Sequence, residues 1–188
     1  MITRFKISNI AELKVGMFDL GNGLFSDCAP KKGEVRSVVA AVLPHEGRAI
    51  GFCPEQSVLP WCYTALGVVT MPITSGKEAT ACITKMAAVR QVTMPALEFC
   101  LNYQGVGVTR GEAFLPTRTE LQQAYLNENA IYKSIRLLGE RWLENTLFSS
   151  SIDNDYCVWV QGFKNQYSQR AYQCRAFGVC PAVEIKLA

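Results

Sequence analysis

Eight cysteines, one histidine and a polar, aromatic-rich stretch near the C-terminus are the residues of this 188-residue chain with chemistry to offer. The cysteines are Cys28, Cys53, Cys62, Cys82, Cys100, Cys157, Cys174 and Cys180, and none stands in a C-x-x-C pair. A zinc site needs four sulfur or nitrogen ligands, usually paired at short spacing, and His45 is the only imidazole to add. No metal or cofactor is therefore expected. Cys82, Cys100, Cys157 and Cys174 fall inside apolar patterns and read as small buried hydrophobes. Cys53 and Cys62 lie in a proline-rich stretch, and a bridge between them stays open if the chain works in an oxidising compartment. His45 sits in Pro44-His45-Glu46-Gly47, which reads as a turn and not as a general base. No Ser-His-Asp or Cys-His-Asn set can be assembled around it. Glu112, Glu120 and Glu128 could be offered as an acid–base pair, but Glu120 has a capping role and the other two read as solvated. No enzymatic activity is expected.

The remaining candidate is residues 145–174, NTLFSSSIDNDYCVWVQGFKNQYSQRAYQC. Eleven of these thirty residues are Asn, Ser or Gln, six are Tyr, Trp or Phe, and only Asp153, Asp155, Lys164 and Arg170 are charged. Aromatic rings give rigid contact area, and short polar side chains adapt their hydrogen bonds, so this is the composition of a recognition surface. Strand parity puts Tyr156, Val158 and Val160 on one side and Asp155, Cys157, Trp159 and Gln161 on the other. Trp159 beside Tyr172 reads either as a ligand platform or as core, with core preferred for a strand tryptophan. Asp153, Asn154, Asn165, Gln166, Tyr167, Ser168 and Arg170 are expected in loops. A plain polar hairpin with inward aromatics is the competing reading. The candidate ligand residues are thus Asp153, Asn154, Asp155, Tyr156, Trp159, Asn165, Gln166, Tyr167, Ser168, Arg170 and Tyr172.

The elements that must position them follow from pattern and punctuation. Residues 1–14 read as an arm or edge strand, and 15–188 as one domain. Glycines and Pro30 across 15–30 suggest short strands and tight turns, with Gly21-Asn22-Gly23 as a hairpin and not a phosphate loop. Residues 35–43 are β-branched enough for a buried strand, and 48–53 read as its return. Residues 54–74 read as a loop in which Trp61 plugs the core. A helix is predicted over 77–90, with Ala81, Cys82, Met86 and Val89 inward. Pro95 opens a second helix whose apolar side is Leu97, Cys100, Leu101 and Tyr103, and Gly105 ends it. Thr117 and Glu120 have capping-box spacing ahead of a third helix, with Leu121, Ala124, Tyr125 and Leu126 inward. A fourth helical piece spans 129–138, and strands follow over 155–163 and 171–186. Strands, then helices, then strands argue for an α+β fold with short antiparallel sheets flanked by helices.

Apolar residues make up 49% of the chain and charged residues 19%, enough for a full core. The net charge of +3 is spread along the chain, so no basic stripe exists to track phosphates and no nucleic-acid partner is expected. No apolar run is long enough to insert into a membrane. The first eighteen residues, broken by Arg4, Lys6, Glu12 and Lys14, lack the apolar stretch of a secretory signal.

Several segments taken in order resemble the DUF1566-type domains, relatives of the Fibrobacter major paralogous domain. They are VGMFDLGNGLFSD (15–27), HEGRAIGF (45–52), PALEFCLNY (95–103), GEAFLPTRTELQQAYLNENAI (111–131), LFSSS (147–151), CVWVQGF (157–163) and YQCRAFGV (172–179). The chain departs from the family pattern where Ala113 and Phe148 stand in place of tryptophans. The resemblance covers most of residues 15–180 and implies a C-type-lectin-like fold with an N-terminal hairpin region. It implies a non-enzymatic binding domain whose C-terminal strands and loops form the ligand face. In some phage and bacterial members that stretch is varied by diversity-generating retroelements. The implied setting is a phage tail receptor-binding protein or bacterial adhesin at a virion or cell surface. Its partner would be a cell-surface protein or glycan, with a homo-oligomer possible. The alternatives are a structural or assembly protein of a phage or cell surface and, through Cys174 and Cys180, a cysteine oxidoreductase similar to formylglycine-generating enzymes. The calcium motifs of sugar-binding C-type lectins are absent, and Asp153-Asn154-Asp155 lacks a following bidentate Glu.

Overall fold

Left-handed turns organise the first half of the chain. Gly21, Asn22 and Gly23 have φ of 86°, 55° and 72° and join β2 (Phe18–Gly21) to β3 (Leu24–Ser26). A Cβ on Gly23 would stand 2.4 Å from the backbone nitrogen of Ala188, so the C-terminus seats against this hairpin only because glycine is there. Pro44-His45-Glu46 forms one 3-10 turn closed by Gly47 at φ 64°, and it joins β4 (Ser37–Leu43) to β5 (Arg48–Phe52). The computed structural model describes residues 3–66, 75–140, 146–164 and 167–188.

Two sheets result. The first has the order β1-β3-β2-β4-β5-β11, with β1 (Arg4–Lys6) and β11 (Ala182–Glu184) at its edges. The second has the order β6-β10-β7-β8-β9. Its strands are β6 (Ser57–Pro60), β7 (Thr146–Ile152), β8 (Cys157–Gly162), β9 (Ser168–Tyr172) and β10 (Ala176–Val179). Pairing is antiparallel throughout except between β7 and β10. Four α-helices lie between the strand blocks among the described residues: α1 (Gly76–Arg90), α2 (Pro95–Asn102), α3 (Arg118–Tyr125) and α4 (Glu128–Leu137). The chain is α+β.

The helices cover opposite faces of the second sheet. Ala79 and Ile83 of α1, and Leu97 and Cys100 of α2, pack with Trp61, Phe148, Val158 and Val160. Leu121 and Ala124 of α3, and Ile131 and Ile135 of α4, pack between Val38, Ile50 and Phe52 of the first sheet and Leu147 of the second. Trp61 is fully buried, and its indole N–H donates to the Ser149 carbonyl at 3.0 Å. Ala113 and Phe148 are both fully buried.

Several expectations need correction. α1 buries Ala79, Thr80, Ile83 and Ala87, whereas Ala81 and Val89 are exposed and Cys82 and Met86 half-buried. The contact with residue 115 selects this face. The Thr80 hydroxyl accepts the Leu115 N–H at 3.0 Å, which needs a small polar side chain against the core. Leu126 is exposed because α3 ends before it. The stretch read as a loop over 54–74 contains β6, which finds its partner in β10 far along the chain. The expected Gly105 stop lies beyond the helix, since α2 already ends at Asn102.

Two buried ion-pair knots tie these layers together. Arg36, 4% exposed, donates to Asp19 Oδ2 (2.9 Å), Glu112 Oε1 (2.7 Å) and the carbonyls of Gly107 and Glu184. Glu112 is therefore a partner in this knot, not the solvated residue its sequence position suggests. Burial alone would raise its carboxyl, but the Thr109 N–H, Arg36 and Lys186 together bring it down from 4.5 to about 2. Glu120, fully buried, accepts from the Thr117 N–H (2.7 Å) and from the Gly76 N–H (3.1 Å), and it pairs with Arg48. The capping box is complete, since the Thr117 hydroxyl accepts the Glu120 N–H. A Cβ on Gly76 would stand 2.6 Å from Glu120 Oε2 and 2.7 Å from the Leu115 carbonyl, so that position also requires glycine.

Three outcomes follow. In urea unfolding, Glu120→Ala should cost about 3–5 kcal/mol, because it leaves buried donors unmatched, and Gly76→Ala about 1–3 kcal/mol by overpacking. Because the Glu112 carboxyl is depressed on folding, its contribution is complete above pH 4.5 and fades as pH falls toward 2. Glu112→Gln should therefore cost about 1–2 kcal/mol at neutral pH, solvent screening the partly exposed carboxyl, and the difference from the parent should close across that acid window.

Candidate recognition surface

The outer part of the second sheet is built from β8 and β9, which pair over five residues: Cys157 with Tyr172, Val158 with Ala171, Trp159 with Arg170, Val160 with Gln169 and Gln161 with Ser168. Alternation sends Val158, Val160 and Ala171 into the α1–α2 core. Cys157, Trp159, Arg170 and Tyr172 share the other face, at the end of the sheet that α3 reaches with its first residue.

That residue is Arg118, which the sequence reading missed. Its backbone N–H donates to Ser151 Oγ at 2.9 Å, and its Nε donates to Ser168 Oγ at 3.1 Å. The guanidinium thereby lies flat on the Trp159 indole, 3.6 Å from the ring centroid. The Arg170 guanidinium, one strand across, lies at 5.7 Å. Such cation–ring contacts contribute roughly 0.5–2 kcal/mol each. Trp159 is half-buried under arginine, not core as its strand position suggested.

The neighbouring loop is set by its own side chains. Asn154 Oδ1 accepts the N–H groups of Tyr156 and Cys157, while its Nδ2 donates to Asp153 Oδ2 at 2.8 Å. Asp153 Oδ1 meets Arg170 Nε at 3.1 Å. These carboxylate and amide oxygens thus already serve the turn and the arginine. Among the described residues, no group of three or more His, Cys, Asp or Glu could hold a metal ion.

Three tyrosines stand out of the same end of the sheet. Tyr63, Tyr156 and Tyr172 are 65%, 65% and 59% exposed. The backbone brings them together: Trp61 and Cys62 N–H groups donate to the Gln173 carbonyl, and the Gln173 N–H donates to the Tyr156 carbonyl. Gln173 itself is buried, and neither atom of its side-chain amide has a partner among the described residues. Tyr63 and Gln173 were also missed. Neither has a local signal, because only the connection from β9 to β10, through the Gln173 carbonyl, brings residues 61–63 alongside.

The other candidates sort differently. Ser168 and Arg170 belong to β9 and not to a loop, because the strand pairs from residue 168 onward. Tyr156 leaves the Val158–Val160 side and is exposed, since it precedes the strand. Asp155 is half-buried in the turn before β8. Tyr167 is tucked in: its hydroxyl lies 2.9 Å from Thr146 Oγ1, and its ring covers Gly162, where a Cβ would meet it at 3.0 Å. Asn165 and Gln166 lie outside the described residues.

All eight cysteines are free thiols, Cys53 and Cys62 included. Cys53, Cys62, Cys100 and Cys180 are buried, but Cys82 and Cys157 are only half-buried and Cys174 is exposed, against the expectation for those three. The first lies on the outer flank of α1, and the other two lie on the open face and connecting turn of the second sheet. Burial pushes the Cys100 and Cys180 thiols well above their usual range.

No protein-family model matches the chain, and no curated protein matches it. Among solved structures it is similar to a fimbrial protein from Bacteroides ovatus, with a TM-score of 0.70 at 9% identity. The match covers 90% of this chain and 48% of that one, so the chain spans about half the length of that protein. At such identity the likeness is one of fold. No described helix is long and apolar enough to cross a membrane.

The split between structural and exposed tyrosines can be measured. Tyr167→Ala should lower stability by about 1–3 kcal/mol through lost packing and a lost hydroxyl partner. Tyr172→Ala should change it by no more than about 0.5 kcal/mol. Denaturant midpoints at constant slope distinguish the two.

Proposed function

We propose that this chain is a non-enzymatic recognition module of a bacterial or phage surface structure, presenting the end of its second sheet to a protein or glycan. The observation that carries this reading is the exposure of Tyr63, Tyr156 and Tyr172 beside the arginine-covered Trp159, on backbone fixed by two sheets and two buried ion-pair knots. Rigid aromatic rings with a polar rim supply contact area at low entropic cost. The resemblance to DUF1566-type domains adds the finer parts of the proposal. These are a C-type-lectin-like scaffold, a ligand face in the C-terminal strands and, in a phage or bacterial setting, diversification of that face by a retroelement. The fold likeness to a fimbrial protein agrees with a surface location.

A structural or assembly role is the second reading. Leu126, Tyr132 and Leu137 are exposed on and beside α4, away from the sheet end, and a partner subunit could cover them. A cysteine-dependent activity has less support, because it needs a low-pKa thiol in a cleft and burial drives the Cys180 thiol the other way.

The double variant Tyr156→Ser/Tyr172→Ser tests the main reading. Attachment of the labelled chain to target cells should fall by about tenfold or more, with the unfolding midpoint unchanged. Undiminished attachment, together with its loss in Leu126→Ser/Leu137→Ser, would move the function to α4. A near-copy of the final coding segment, differing at adenines beside a reverse transcriptase gene, would establish diversification.

A further inference from the structure

Arg118 is a cation held in place without a countercharge. Its Nε is bound to Ser168 Oγ, its planar face rests on Trp159, and no carboxylate partners it among the described residues. Elsewhere in the fold, Arg36 and Arg48 are each matched by two carboxylates. Arg170, at 5.7 Å from the same ring, has Asp153 on its Nε and is otherwise open, with its side chain 63% exposed. Two guanidinium groups thus converge on one indole with one carboxylate between them. Stacking on the ring restricts the side chain, so less rotamer entropy is lost when its terminal N–H groups take up a ligand.

A planar guanidinium whose terminal N–H groups are free matches a carboxylate in bidentate fashion. The flanking groups indicate what carries that carboxylate. The exposed rings that the two outer strands bring beside the stack, Tyr156 and Tyr172, are both tyrosines. Hydroxylated rings and short polar groups suit the C–H faces and hydroxyls of sugars.

We propose that the Arg118–Trp159–Arg170 stack is an anion-reading subsite that takes the carboxylate of an acidic saccharide, with Tyr156 and Tyr172 supporting the adjoining sugar ring. This rests on the recognition reading above and assigns its ligand class. Recognition is by hydrogen bonds from the two arginines and needs no metal ion.

The test is titration of the full chain with polygalacturonate, alginate and polysialic acid, each beside its methyl-esterified or carboxyl-reduced form. At least one acidic polymer should bind, its neutralised form about tenfold or more weaker, and binding should weaken as salt is raised through about 0.15 M. Arg118→Gln should reduce affinity by about tenfold or more, with Arg118→Lys only partly restoring it. Arg170→Gln, at an exposed position, should weaken binding by about fivefold and covers the case in which Arg118→Gln does not fold. No binding to any acidic polymer, equal binding of the neutralised form, or equal binding of poly-glutamate or inorganic phosphate would overturn the proposal. Cell attachment that depends on Tyr156 and Tyr172 but not on Arg118 or Arg170 would overturn this subsite and leave the recognition reading standing.

Discussion

The carboxylate of Glu120 is the constraint on which the candidate surface depends. It is fully buried, and it accepts N–H groups from the starts of two helices while facing an arginine from the first sheet. A charge in that position is tolerable only because each of its oxygens is matched, and the low polarity around it strengthens each match. The positive ends of α1 and α3 converge there, which adds a favourable dipole term. The direction of α3 is fixed as a result. Arg118, two residues before Glu120, can then come down on Trp159 without any further device. The site arginine is ordered by a knot on the opposite side of the same helical turn.

A second dependence runs through β7. Its register shifts between Phe148 and Ile152, and the intervening residues are serines, of which Ser149 and Ser150 are fully buried. Bulged strands lose ladder bonds, and serine hydroxyls are short enough to replace them. Ser149 Oγ donates to the Trp159 carbonyl at 2.7 Å and accepts the Ser151 N–H, while Ser151 Oγ accepts from Arg118. The serine run therefore fixes both halves of the cation–ring stack, the strand that bears Trp159 and the helix start that bears Arg118. The local irregularity of the strand is what gives the surface its geometry.

How much of this was legible depended on whether the controlling contact was local. The Thr117–Glu120 capping box, the Gly21-Asn22-Gly23 hairpin, the turn at Pro44–Gly47 and the strands around it are set by residues within a few positions of one another, and their spacing revealed them. Trp61 was legible because an isolated tryptophan among prolines has few places to go but the core. The inward face of α1 was not, because alanines and threonines leave the hydrophobic pattern nearly uniform and the hydrogen bonding between Thr80 and Leu115 decides it. β7 was not expected as a strand, because its serines carry no alternating apolar pattern. The ion pairs of Arg36 and Glu112 were hidden by sequence distance, since an isolated carboxylate in a chain looks solvated whatever it meets after folding.

The same reasoning explains why composition singles out one stretch but does not say which of its side chains stay exposed. Composition marks 145–174 as polar and aromatic without saying which side chains the fold consumes. Tyr167 and Tyr172 are chemically identical and five positions apart, yet one hydrogen-bonds Thr146 beneath the sheet end and the other stands in solvent. The difference arises because Tyr167 precedes β9 where Gly162 leaves a ring-sized gap, while Tyr172 ends it opposite Cys157. The residues that complete the surface, Arg118 and Tyr63, come from a helix start and a loop outside the stretch. A candidate surface assembled in this way separates the exposed residues of β8 and β9 from the knots that support them. The side chains of Tyr156 and Tyr172 stand outside the frame that Glu120, Gly76 and the β7 serines hold.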